Sequence, residues 1–122
     1  MPPERDYRGS ELSAGTGVRD AALTGAHLRL PGGGPVGPTL EIYKYDPSLE
    51  PLPTAANRPG FSHIAFVVRS VDDARAVVVG AGGGMVGDVV TLRTADGRRV
   101  TWVYVTDPEG NIIELQSWSD AD

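Results

Sequence analysis

The sequence predicts an α+β fold that consists mainly of strands, and three observations support this prediction. Residues 22–30, 39–45, 99–106 and 112–118 alternate apolar and polar side chains, which is typical of half-buried strands. Residues 70–80 instead place apolar side chains at helical spacing behind a serine that can cap a helix. Stretches rich in glycine and proline separate these segments and predict turns.

Length and composition exclude several classes of protein. A chain of 122 residues is long enough for one domain with a modest core. It contains 11 Lys and Arg against 16 Asp and Glu and has no basic stripe, so we expect no nucleic-acid partner. No apolar run approaches the roughly 20 residues that span a bilayer, and the first residues lack the apolar centre of a signal peptide. We therefore expect no membrane partner and a cytoplasmic location. There is no cysteine, so only His, Asp or Glu side chains are candidate ligands for a metal.

The first part of the chain predicts an arm followed by a hairpin. Residues 1–21 are mostly polar, show no period and are predicted to form a flexible N-terminal arm. Residues 22–30 and 39–45 are predicted strands, joined by the Pro- and Gly-rich segment 31–38. A hairpin that keeps their aliphatic sides together places four polar or aromatic side chains on the opposite face: His27, Arg29, Glu41 and Tyr43. Such a face suits a cavity better than a core.

Residues 47–59 contain four prolines and predict a linker. A strand carrying His63 follows, and then a helix in which Ser70 and Asp73 form a capping box. The Asp96-Gly97 pair predicts a hairpin between two further strands, the second of which carries Trp102 and Tyr104. The turn sequence DPEGN leads into the last strand, which carries Glu114. Gly82, Gly84 and Gly87 match G-x-G-x-x-G, but the helix precedes them, so we interpret this segment as a loop and not as a nucleotide site.

GFSHIAFVV, followed by a helix and YVTDPEGNIIEL, resembles the second half of a vicinal oxygen chelate domain. This superfamily includes glyoxalases, epimerases, extradiol dioxygenases and bleomycin-resistance proteins. HLRLPGG and TLEIYKYDP resemble the closing strands of the first half. The resemblance covers residues 22–118 as one domain and implies paired βαβββ modules whose curved mixed sheet forms a cup around a metal ion. Residues 22–46 then form a partial first module and residues 60–118 the second, because nothing ahead of Ala22 resembles the family's opening strand and helix.

The resemblance also implies a metal site. Glu41, His63 and Glu114 take the positions of family ligands, and a fourth ligand is missing unless His27 replaces it. One imidazole and two carboxylates suit a divalent Zn, Ni, Co, Mn or Fe ion, and three protein ligands leave positions for substrate oxygens. Glu41 and Glu114 are the candidate catalytic residues, one to take a proton and the other to return it. The predicted substrate-binding residues are His27, Arg29, Tyr43, Trp102 and Tyr104. In isolation, each of these side chains also suits an ordinary place on a solvated or packed strand.

Three functions follow from this resemblance. The first is a metal-dependent lyase, isomerase or epimerase of the glyoxalase type, acting on a small molecule that chelates the metal through adjacent oxygens. The second is a binding protein that sequesters an aromatic drug or natural product without catalysis. The third is an extradiol dioxygenase, which requires a second histidine such as His27. Because a half-built first module leaves a sheet edge uncovered, we also expect a homodimer.

Overall fold

The computed structural model describes residues 4–121, which divide into two compact units. The first unit ends at Pro51 and the second starts at Leu52, inside the segment that the sequence predicts as a linker. Residues 1–3 of the predicted N-terminal arm lie outside the described residues. The secondary structure is α+β and mostly strands, in agreement with the predicted fold class.

The first unit is a three-stranded antiparallel sheet with one short helix. Its elements are β1 (Arg5–Arg8), α1 (Ser10–Thr16), β2 (Ala22–Arg29) and β3 (Thr39–Asp46). The strand order is β1-β2-β3. In the β2–β3 register His27 lies opposite Glu41, and Gly25 lies opposite Tyr43. The predicted hairpin and its shared polar face are therefore confirmed.

Strand β1 and helix α1 correct the sequence prediction, which expected no regular structure ahead of Ala22. All four residues of β1 are exposed, and α1 has no buried residue and no side-chain cap at Gly9. Neither element therefore has the apolar pattern by which a strand or helix is recognised. β1 is ordered by pairing with β2, where Tyr7 lies opposite Leu23. The prediction that residues 5–16 form an unstructured arm is wrong. β1 pairs antiparallel with β2, whereas the opening strand β4 of the second unit pairs parallel with β8, so the absence of the family's opening strand and helix from the first module stays a prediction.

The second unit contains a mixed sheet with one helix. Its elements are β4 (His63–Val67), α2 (Val71–Gly80), β5 (Gly84–Met85), β6 (Val90–Arg93), β7 (Arg99–Thr106) and β8 (Ile112–Ser119). The strand order is β4-β8-β7-β5, and β6 also pairs with β7. β4 runs parallel to β8, whereas the other pairs are antiparallel. The first and last strands of this unit are thus neighbours.

The core of the second unit lies between α2 and one face of its sheet. Val103 and Val105 of β7 are fully buried and pack with Leu115 of β8 and Val71 of α2. Because side chains alternate along a strand, the residues that alternate with Val103, Val105 and Leu115 point to the opposite face. α2 therefore covers one face of the sheet and leaves the other for the polar and aromatic residues described below.

Local sequence explains the bounds of α2 and the loop that follows it. Ser70 caps the helix, since its hydroxyl accepts a hydrogen bond from the Asp73 amide at 3.2 Å. Gly83, in the loop after the helix, permits close packing. A Cβ atom on Gly83 would lie 2.3 Å from the Thr106 carbonyl oxygen, so only glycine fits between the helix end and β7.

Candidate functional site

His63 and Glu114 form a side-chain pair on the sheet face that α2 leaves uncovered. They lie on the adjacent parallel strands β4 and β8, where Ala65 is opposite Glu114. The His63 Nε2 atom is 3.0 Å from Glu114 Oε2, and the two side chains are 26% and 18% exposed. On the other side of the imidazole, Nδ1 is 3.2 Å from the Ser62 hydroxyl. The pair is thus oriented from both sides and still reachable from solvent.

Two aromatic rings border this pair. Tyr104 lies directly opposite Glu114 in the antiparallel β7–β8 register, and its ring centroid is 4.7 Å from that of His63. The ring of Trp102 follows at 5.1 Å from Tyr104 in an edge-to-face arrangement. Trp102 and Tyr104 therefore provide an apolar wall beside a polar centre, as a small-molecule site requires.

A chain of polar contacts continues from Glu114 along β8. The Gln116 amide donates to Glu114 Oε1 at 3.4 Å, and the Trp118 indole N–H donates to the Gln116 side-chain oxygen. The guanidinium of Arg98 stacks over the Trp118 ring at 4.6 Å. Gln116 was not among the predicted site residues, although its two-residue spacing from Glu114 places it on the same face.

The first unit holds a second histidine–glutamate pair. His27 Nε2 is 3.2 Å from Glu41 Oε1 and also contacts the hydroxyl of Tyr43. The ring of Tyr43 fits over β2 because residue 25 is glycine, where a Cβ atom would lie 2.7 Å from the Tyr43 ring. Partial desolvation, and secondarily the Glu41 charge, raises the pKa of Tyr43, so its phenol stays neutral at physiological pH.

A cavity of about 570 Å³ lies beside the His27–Glu41 pair and is lined by residues of the first unit alone. α1 contributes Glu11, Leu12 and Thr16 to its wall, and the sheet contributes the rest, namely Tyr7, Arg8, Leu23, His27, Glu41, Tyr43 and Tyr45. Arg29, which was predicted to bind substrate, is exposed opposite Thr39 and is not part of this lining. Tyr7 and Glu11 were missed because they belong to the segment predicted to be an unstructured arm.

The donor atoms in the second unit fit part of a metal site. A nitrogen and an oxygen that bind one ion about 2.0–2.1 Å from each are typically separated by about 3 Å, as His63 Nε2 and Glu114 Oε2 are. The Ser62 hydroxyl contacts Nδ1 of His63, and ligating histidines typically have such a hydrogen bond at the ring nitrogen that does not bind the metal. Within the described residues of each unit, however, no group of three His, Asp or Glu side chains gathers. The second unit offers two of the predicted ligands, and the predicted ligand Glu41 has His27 as its partner in the first unit.

Strand β1 does not supply the missing fourth ligand that the resemblance implies. It contains neither His nor Glu, and its one carboxylate, Asp6, accepts three hydrogen bonds from the Arg8 guanidinium at 3.2, 2.9 and 3.1 Å. Within the described residues of the second unit, His63 and Glu114 thus have no third His, Asp or Glu beside them.

Comparison with solved structures finds the same fold in a glyoxalase family protein from Bacillus cereus. The match has a TM-score of 0.78 at 21% sequence identity and covers 97% of this chain and 76% of the other. At this identity the likeness establishes a glyoxalase-like fold and nothing about chemistry. Comparison with protein-family models and with curated protein sequences finds no match. Neither helix in residues 4–121 has the length and apolar character needed to cross a bilayer.

Proposed function

We propose that this chain is a metal-dependent lyase or isomerase of the glyoxalase type, acting on a small molecule with two adjacent oxygens. The observation that supports this most is the His63–Glu114 pair, with its donor atoms 3.0 Å apart on an open sheet face beside two aromatic rings. The glyoxalase-like fold adds support by analogy.

In this proposal His63 and Glu114 hold a divalent ion, and Glu41 stays a predicted third ligand on the strength of the family resemblance alone. A bound divalent ion supplies Lewis-acid polarisation of the substrate oxygens. The chain itself supplies the proton transfer: the carboxylate of one glutamate, Glu41 or Glu114, takes a proton from the carbon beside a carbonyl, and the other returns it. Trp102 and Tyr104 contact the carbon skeleton and limit the access of water.

Metal analysis of protein purified without chelator tests the proposed site. We expect one divalent ion per chain in the native protein. Glu114→Gln removes the negative charge but keeps the side-chain shape, so its metal affinity should fall by about tenfold or more. Glu109→Gln, on the exposed turn before β8, is the matched control and should keep full occupancy. Full occupancy in Glu114→Gln would contradict the proposal.

Catalysis is tested by a separate measurement, the exchange of a substrate proton with solvent. A glutamate that removes a proton beside a carbonyl exchanges it with solvent, so α-hydroxycarbonyl compounds incubated in D₂O should gain deuterium at that carbon. NMR detects this exchange directly. We expect exchange with the metal-loaded native protein and its loss with Glu114→Gln.

Binding without catalysis is the second candidate function, favoured by the adjacent rings of Trp102 and Tyr104. Both tryptophans of the chain lie in the second unit, so an aromatic ligand on this face should change their fluorescence. Ligand binding and deuterium exchange, each measured with and without chelator, distinguish the two functions. Tight binding that is unaffected by chelator, together with no deuterium exchange, would favour sequestration over the enzyme.

A further inference from the structure

Apart from Glu41, the residues that line the cavity of the first unit have no role in the function proposed above. Its volume of about 570 Å³ lies in the range of small-molecule sites, which is roughly 300–1,000 Å³. The lining comes from α1, β1, β2 and β3 of one unit. It is therefore a site that this unit forms by itself.

The walls of this cavity are rich in tyrosine. Tyr7, Tyr43 and Tyr45 all line it. The rings of Tyr7 and Tyr43 have centroids 6.5 Å apart and planes inclined by 80°, so they lie edge to face within this lining. Cations are attracted to the faces of aromatic rings, and rings set at an angle around one volume form the aromatic cages that bind quaternary ammonium groups.

The charges around the cavity also favour a cation. Two carboxylates, Glu11 and Glu41, line it. A hydrogen bond from its own backbone, and secondarily one from Ser10, lowers the pKa of Glu11, so this carboxylate is ionised at neutral pH. Of the cationic groups, Arg8 is bound to Asp6 through three hydrogen bonds and offers little net positive charge to a ligand.

We propose that the first-unit cavity binds a small organic ammonium ion, whose positive charge lies against the tyrosine rings and is balanced by Glu11 and Glu41. A quaternary ammonium group suits these walls because it needs no hydrogen-bond acceptor and is weakly hydrated. An anionic ligand is excluded by the two carboxylates. This site shares Glu41 with the metal proposal, but its binding of an ammonium ion does not depend on a bound metal.

Calorimetric titration of the full chain, freed of metal by chelator, tests the proposal with two probes of equal shape. Choline carries a quaternary ammonium group, and 3,3-dimethylbutan-1-ol replaces that nitrogen with carbon. We expect choline to bind about tenfold more tightly than the alcohol. Equal affinity for the two probes, or no binding of choline, would overturn the proposal.

Two substitutions of Tyr43 distinguish the contribution of its ring to choline binding from that of its hydroxyl. Tyr43→Phe keeps the aromatic face and should bind choline within about threefold of the native protein, whereas Tyr43→Leu should lose about tenfold. Circular dichroism checks that both variants are folded. An equal loss in the Phe and Leu variants would assign the effect to the Tyr43–His27 contact and refute the cage. This comparison remains valid if Tyr43→Leu does not fold, because the Phe variant must still retain affinity.

Substitutions of carboxylates test the contribution of charge. Glu41→Gln should weaken choline binding several-fold, and Glu50→Gln, at an exposed site outside the cavity lining, should leave it unchanged. Glu114→Gln, which is designed to remove metal from the second unit, should also leave choline binding unchanged. The metal proposal and the cation proposal can therefore fail independently.

Discussion

Asp96 shows how single contacts set the charge state of a residue. The Thr94 hydroxyl donates a hydrogen bond to its carboxylate at 2.6 Å, and Arg98 donates two more, so the pKa of Asp96 lies at about 2 against an ordinary value of 3.8. Because the folded chain releases this proton more readily than the unfolded chain, Asp96 stabilises the fold above about pH 4. That contribution is lost as the pH falls towards 2.

We expect Thr94→Val to raise the pKa of Asp96 towards 3.8 while leaving it below that value, since Arg98 remains. Carbon-detected NMR titration of the carboxyl group measures the shift. Thr91→Val is the matched control, because the Thr91 hydroxyl contacts Thr101 and not Asp96. A pKa of Asp96 that is the same in both variants would show that the threonine hydroxyl has no such effect.

At the residue scale, the sequence predicted the position of some residues on the sheet correctly and missed other residues of the cavity for a physical reason. The strand alternation around His27 and Glu41 was enough to place them on one face, and the structure pairs them. Tyr7 and Glu11 could not be predicted, because their segment has no period and their place in the cavity depends on β1 pairing with β2. Tertiary pairing, and not local pattern, brings these two residues to the cavity.

At the scale of elements, helix α2 depends on its cap. The Ser70 hydroxyl satisfies the Asp73 amide, which has no partner within the helix. Ser70→Ala should lower the free energy of unfolding by about 1 kcal/mol. Denaturant unfolding measures the loss, and Ser119→Ala, at the exposed end of β8, should change stability by less than about 0.5 kcal/mol. An equal effect of the two substitutions would show that the cap is not responsible.

The elements predicted well are those with both a period and a capping or turn signal. α2 begins directly after its predicted capping residue, and β7 matches the predicted bounds 99–106. α1 is seven residues long, has no buried residue and begins after Gly9, so no local sequence signal predicts it. A helix this short is marginal by itself and depends on its surroundings.

At the scale of the whole molecule, the predicted homodimer stays a prediction. Part of its original reason is gone, since β1 and α1 occupy the segment that was expected to lack structure. Two edge strands remain: β3 of the first sheet, on which Ile42 is 53% exposed, and β4 of the second sheet, on which Val67 is 74% exposed. Light scattering at micromolar concentration should give the mass of two chains, and a monomer across a dilution series would contradict the prediction.

The parallel pairing of β4 with β8 has a consequence for the order in which the second unit assembles during synthesis. His63 and Glu114 are separated by 51 positions, and the hairpin strands between them must be laid down before β8 can align with β4. When α2 and the strands up to β7 have been synthesised, His63 is therefore present and Glu114 is not. The His63–Glu114 contact would therefore form late in synthesis, when the final strand pairs with β4.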